Sequence, residues 1–432
     1  MTTLWCEYAW LPDGVASEVL IKIEGDRFDS VLPGQPREGH VLTGLTVPGM
    51  ANGHSHAFHR ALRGRTHHER GTFWTWRERM YSLAARLDPD AYYRLARGVY
   101  AEMVLAGYTS VGEFHYLHHA PGGTPYANPN AMGAALERAA ADAGIRLTLL
   151  DTCYLAGGIG VAPDEVQQRF SDGSAQRWAE RVSELRETDG FRVGAAIHSV
   201  RAVPADQISL VRKQDRPLHV HLSEQRAENE QCLAAYGLTP TGLLAEHGAL
   251  GERLTAVHAT HLTESDIRQL GAARARACFC PTTERDLGDG IGPARALLDA
   301  GVGLCLGSDS NAVVDAFEET RALELNERLA SESRGRFSVD ELMAAATDHA
   351  AIGWDEVGAL AAGHGADLVN IDLESIRTVG TEPSGTVYAA SGADVRDVLV
   401  AGRWVVRDRV HLAVEAPESV LAKEIDALWQ HS

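Results

Sequence analysis

The 432-residue sequence predicts an α/β fold: a (β/α)8 TIM-like barrel with a small β-sandwich domain formed by the two termini. Three observations carry that prediction. Eight short apolar runs recur along the chain, separated by longer stretches with helical spacing. Both ends of the chain read as strands. Four polar spots rich in histidine and carboxylate stand where apolar runs end, and the strand ends are where such barrels carry their chemistry.

Residues 1–48 hold alternating segments such as Ser17–Glu24 and are expected to form the N-terminal part of the sandwich. The barrel is expected over 49–363, with strands at Val41–Met50, Thr109–Phe114, Arg146–Tyr154, Phe191–Ile197, Pro217–Leu222, Leu254–His258, Ala275–Cys280 and Gly301–Leu306. Between them, Leu95, Val99 and Met103 form a helical stripe, and Asp88-Pro89 reads as an N-cap followed by proline at the first helical position. Thr263-Glu264-Ser265-Asp266 reads as a capping box opening another helix. The stretch 121–130, rich in Gly, Pro and Asn, reads as a loop. Residues 364–412 return to strands at Asp367–Ile371, Gly385–Ala390, Val395–Val400 and Arg403–Val406, completing the sandwich, and 413–432 ends in an amphipathic helix over Pro417 to Gln430.

Composition narrows the class. Hydrophobic residues at 45% and charged residues at 23% suit a globular chain with a large core. The net charge of −19 argues against nucleic acid or an anionic membrane as a partner. Met1–Glu7 has no basic-then-apolar leader, and no apolar run is long enough to span a bilayer, so a cytoplasmic location is expected. The six cysteines are scattered and read as reduced thiols. Cys278 and Cys280 share one side of a strand and read as core packing.

The polar spots carry the chemistry. His54 and His56 are two apart at the end of a run, so both imidazoles face one side. In Pro217–Glu224, strand alternation pairs His219 with His221. His221 lies nearer the C-terminal end and is preferred as a ligand, with His219 as a packing residue. His258 at a strand tip is preferred to His261, and Asp309 follows the eighth run, where a carboxylate needs a cation or donors. Three histidines and one carboxylate complete a ligand set for one divalent metal. The chain has only Lys22, Lys213 and Lys423, and none lies in 191–201, where two-metal barrels of this type commonly carry a bridging carboxylated lysine. The reading is therefore one ion, bound by His54, His56, His221 and Asp309, with Zn²⁺ favoured and Fe²⁺ as the alternative. Glu224, three residues after His221, suits proton transfer from a metal-bound water to a leaving nitrogen. Asp309 and His258 suit the handling of a second proton. Arg201, closing the fourth strand, and Arg77 in Phe73–Arg77 are placed to clamp carboxylates.

These residues resemble the amidohydrolase superfamily in its mononuclear deaminase branch. The likeness is closer to the formimidoylglutamate deiminases through Gly53–Phe58, Phe73–Arg77, Glu113–Tyr116, His198–Arg201, His258–His261 and Leu287–Gly290. The resemblance implies a metal-dependent hydrolase barrel and deimination of a small dicarboxylate substrate. It implies catalytic roles for Glu224 and His258 and substrate contacts from Arg77, Tyr116, His198 and Arg201. Family members often carry Gln directly after the HSHAF segment, whereas His59 stands here and offers a different donor–acceptor pattern to substrate. Homodimers are common for such barrels, so a homodimer is expected. Two rival readings are a deaminase of a purine or pyrimidine ring amine, sharing every metal residue, and a metal-free barrel serving as a binding module.

Overall fold

The structure, a computed structural model, describes residues 2–67 and 73–430, apart from the side chains of Phe73 and Trp74. His68 therefore lies outside the described residues, as do the first two side chains of the Phe73–Arg77 motif. Two eight-stranded sheets organise the rest. One runs β5 (Met50–Ser55), β6 (Tyr108–His115), β7 (Arg146–Cys153), β8 (Phe191–Ile197), β9 (Leu218–Leu222), β10 (Leu254–His258), β11 (Arg276–Phe279) and β12 (Gly303–Leu306), and neighbours pair in that order. All pairings are parallel, helices fill the connections, and a parallel bridge between Ser55 and Asp309 closes the barrel. The closure needs a glycine at 307. A Cβ there would lie 2.7 Å from the His54 carbonyl oxygen.

The other sheet comes from both ends of the chain. The strands β1 (Thr2–Leu11), β2 (Gly14–Glu24), β3 (Arg27–Leu32) and β4 (His40–Pro48) join β13 (Leu368–Ile371), β14 (Val395–Val400), β15 (Arg403–Arg407) and β16 (Val410–His411). The spatial order is β16-β15-β14-β13-β4-β1-β2-β3, so β4 and β13 sew the two termini together. Its buried face, with Leu4, Cys6, Val19, Ile21, Phe28 and Leu368, forms a core of its own.

Two expected elements differ. The run Val41–Met50 belongs mostly to β4 of the terminal sheet, and the first barrel strand is Met50–Ser55. Gly49 lets the chain pass from one sheet to the other against Thr109, where a Cβ would meet Oγ1 at 2.2 Å. An apolar run that spans such a passage reads as one strand. Gly385–Ala390 is not a strand. Pro383 opens a 3-10 turn over Pro383–Tyr388, whose amide groups bond locally, as from Ala389 and Ala390 to the Thr386 carbonyl.

Local signals act as expected elsewhere. Asp88 caps the helix Pro89–Leu105 by accepting from the Ala91 amide, and Leu95, Val99 and Met103 are fully buried. Thr263 and Asp266 form a reciprocal capping box on the helix Glu264–Ala272. The last helix spans Pro417–Trp429. All six cysteines are free and buried. No described helix is long and apolar enough to cross a membrane.

Candidate metal centre and substrate cavity

The barrel strands deliver their polar ends to one point. His54, His56, His221 and Asp309 offer one ligand atom each, all within 4.8 Å of one another and all buried. Asp309 Oδ1 lies 3.2 Å from Nε2 of both His54 and His56, and His221 Nε2 lies 3.2 Å from His54 Nε2. Backbone carbonyls fix two of the rings. His56 Nδ1 donates to Phe114 O at 3.0 Å, and His221 Nδ1 to His198 O at 3.0 Å. With that proton on Nδ1, each Nε2 turns a lone pair inward. Two imidazole lone pairs and a carboxylate oxygen converging out of water need a cation between them, so this donor set fits a divalent ion.

The chain bends sharply just at or after the strand ends that carry the site. Ser223, His258, Ala259 and Asp309 all adopt positive φ without being glycine, a conformation that costs on the order of 1 kcal/mol each. A buried amide network holds Asp309 in register. Asn52 Nδ2 donates to Ser308 Oγ at 2.7 Å, Ser308 Oγ donates to Asn311 Oδ1 at 2.7 Å, and Asn311 Nδ2 donates to His56 O at 3.0 Å. The backbone completes it through His56 N to Asp309 O and Asp309 N to His54 O, both at 2.9 Å.

Above the ligands opens a cavity. His56, His221 and Asp309 form its floor. Its walls bring together every other sequence-predicted site residue: Glu224, His258, His59, Arg77, Tyr116, His198 and Arg201. His219 turns away, bonded through Nε2 to Ala351 O at 2.9 Å, and His261 is only partly buried on the outer rim. A model of the amidohydrolase family matches residues 45–405.

The chain belongs to the amidohydrolase family.

Among its relatives, a formimidoylglutamate deiminase of Pseudomonas aeruginosa is 39% identical over 96% of this chain and 97% of its own. A 5-methylthioadenosine/S-adenosylhomocysteine deaminase of Pelotomaculum thermopropionicum is 28% identical over 95% and 94%. The crystal structure of an amidohydrolase from Brucella melitensis superposes with a TM-score of 0.93 at 34% identity, covering 99% of this chain and all of that one.

In this amidohydrolase, His258 stands among carboxylates. Its Nε2 lies 3.9 Å from Glu224 Oε1 and its Nδ1 lies 3.4 Å from Glu284 Oε1. Burial alone would favour the neutral ring. Glu224, the bond to Glu284 and Asp309 outweigh it and push the imidazole up to about 10. Burial and the Glu224 charge raise the nearby Asp289 carboxyl.

Beside Trp76 of the Phe73–Arg77 motif, the cavity wall carries residues outside the motifs named above: Met80, Tyr81, Tyr154 and Phe170. Tyr154 directly follows β7, so the strand-end rule that selected His221 and Arg201 was available to select it. Glu284, on the helix Pro281–Leu287 after β11, had no such signal. A second histidine–carboxylate group, His115, His118 and Asp151, also lies within metal-ligating distances, but Arg181 already occupies its carboxylate.

Proposed function

We propose that this amidohydrolase converts N-formimino-L-glutamate and water to N-formyl-L-glutamate and ammonia, with one divalent ion, Zn²⁺ or else Fe²⁺, held by His54, His56, His221 and Asp309. The observation that carries this reading is the meeting of two guanidiniums, Arg77 and Arg201, with Glu224 and the histidine–aspartate group in one cavity. The substrate has a matching inventory of two carboxylates and one amidine. The Pseudomonas aeruginosa relative bears the name of this activity.

A divalent ion in this site supplies a Lewis acid and a water acidified to a pKa of roughly 7. The protein side chains do the rest. Arg77 and Arg201 hold the carboxylates and so fix the formimino carbon over the histidines. Tyr116, His198 and His59 line the approach, with His59 Nε2 bonded to Tyr116 OH at 2.9 Å. Glu224 takes a proton from the attacking water and passes it to the departing nitrogen, so that ammonia leaves and the new carbonyl stays on the product. His258 donates to the oxygen of the attacking water and so helps to hold it over the formimino carbon, with Glu284 orienting its ring. Asp309, facing the same space, accepts the second proton of that water, which is likewise handed to the departing nitrogen so that it leaves as NH3.

Glu224→Gln is expected to keep its metal and lose about 10²–10⁴-fold in kcat. Retained turnover would remove Glu224 from the proton transfer. Arg201→Ala is expected to raise KM for the dicarboxylate with a smaller change in kcat. An unchanged KM would make Arg201 structural.

One observation favours a second reading. Trp76, Tyr81, Tyr116, Tyr154 and Phe170 make a largely aromatic wall that suits a flat ring, as in a purine or pyrimidine deaminase. Such a substrate brings no carboxylate for Arg77 and Arg201, and Arg201 then keeps only its pairing with Glu228 at 3.4 Å among its described anions. We further propose a cytoplasmic homodimer, which the mass of the protein in solution checks.

A further inference from the structure

The cavity wall beside Arg77 contains a hydrogen-bond chain whose directions can be worked out atom by atom. Gln167 is buried, at 3% exposure. The Asp164 amide donates to its Oε1 at 2.8 Å, and a backbone N–H can only donate, so the amide orientation is fixed. The Asp164 side chain returns the bond by accepting from Gln167 N at 2.8 Å. Gln167 Nε2 then faces two phenols and donates one hydrogen to Tyr81 OH and the other to Tyr154 OH, both at 2.9 Å. Tyr81 OH accepts a second bond, from Arg77 Nε at 2.8 Å.

These bonds use up the acceptor capacity of one phenol. Tyr81 oxygen has both lone pairs occupied, by Gln167 and Arg77. Tyr154 and Tyr81 also form a hydrogen-bonded pair, and since the Tyr81 oxygen is filled, that bond is made by the Tyr81 hydroxyl donating to Tyr154. The Tyr154 hydroxyl proton therefore needs an acceptor from elsewhere. Its ring is buried against Phe170 and His198, and the residue lines the substrate cavity near Arg77 and Arg201. A hydroxyl proton presented between two guanidiniums meets an anionic oxygen.

We propose that Tyr154 donates a hydrogen bond to a substrate carboxylate held by Arg77 and Arg201, and that Gln167 is the positioning residue that turns this proton toward the cavity. The inference rests on the proposed dicarboxylate substrate and adds a third donor to its binding site.

The test is Tyr154→Phe, which keeps the ring and removes only the hydroxyl. Hydrolysis of N-formimino-L-glutamate is compared with that of two analogues, formimino-4-aminobutyrate, lacking the α-carboxylate, and formimino-2-aminobutyrate, lacking the distal one. The variant is expected to lose about 10-fold or more in kcat/KM on formiminoglutamate, chiefly through KM, because the lost bond joins a charged partner. One analogue should be hydrolysed equally by both proteins, and that analogue names the carboxylate. An equal loss on all three substrates, or no change in KM, would overturn the proposal. Gln167→Met is expected to raise KM in the same substrate-dependent way, which a purely structural role would not produce. Binding of glutarate by calorimetry separates this inference from the proposed reaction. If the parent protein binds glutarate and Tyr154→Phe binds it several-fold more weakly, the carboxylate contact stands even without deiminase activity. Equal glutarate affinity in both would refute it.

Discussion

Two groups of histidine and carboxylate lie buried in this barrel, and they differ in what supplies the positive charge. Among His54, His56, His221 and Asp309, the inward nitrogens of His56 and His221 are lone-pair donors, and no Lys or Arg stands among the contacts described for Asp309. In His115, His118 and Asp151, Arg181 enters instead. It donates from Nη1 and Nη2 to the two Asp151 oxygens at 2.9 and 2.8 Å and from Nη2 to Asp172 at 2.9 Å, while Trp178 adds a bond to Asp151 at 2.9 Å. His118 commits its Nε2 to the Thr152 carbonyl, and His119 Nε2 pairs with Asp172 at 3.0 Å. Similar residue types at similar burial thus serve two ends. One group is built to receive a cation from solution, and the other brings its own.

That contrast is open to direct attack. The largest expected effect is Asp309→Asn, which removes the carboxylate charge from the first group. Metal content should fall and hydrolysis should drop to background, checked by elemental analysis beside an activity assay. Full metal content in that variant would break the comparison. Next, Arg181→Met should leave metal content unchanged but lower stability by about 3–5 kcal/mol in denaturant unfolding, since two carboxylates with little side-chain exposure lose their cation.

The same variant carries a pH signature. Against the effect of burial, Arg181 holds the Asp151 carboxyl below its ordinary value of 3.8, and His119, His118 and Arg181 together do the same for Asp172. A depressed carboxyl adds stability above its unfolded value, and that stability is lost as pH falls through its folded value. Wild-type protein should therefore resist acid below about pH 3.8, and Arg181→Met should unfold at a higher pH, as followed by circular dichroism. The smallest effect is expected of His118→Phe. It gives up one bond to the Thr152 carbonyl, about 1 kcal/mol, with metal content and kcat unchanged. Loss of metal there would make the second group a cation site as well and erase the contrast.

Much of the first group was legible in the sequence because its logic is local. A histidine two residues from another at a strand end has only one way to face, and His221 is separated from His219 by its position along β9. The strands themselves were legible where an apolar run and a barrel strand coincide, as at Phe191–Ile197 and Leu254–His258. At Val41–Pro48 the same pattern serves the other sheet, because hydrophobicity does not record which layer covers a strand. Asn52, Asn311, Glu284 and Gln167 were not legible. Each acts on a partner that only the closed barrel supplies: Asn52 on Ser308, Asn311 on His56, Glu284 on His258 and Gln167 on Tyr81. The Arg181 group was hidden for the same reason, since nothing in the sequence around Asp151 announces the guanidinium 30 residues later.

On the proposed reading, a cation site and two guanidiniums share one cavity to deiminate a dicarboxylate. Ammonia release from N-formimino-L-glutamate by zinc-loaded protein, beside guanine, cytosine and adenosine, tests it most directly. Fast release from formiminoglutamate alone is the expected result, while release only from a ring amine would keep the metal centre and contradict the assignment of Arg77 and Arg201 to carboxylates.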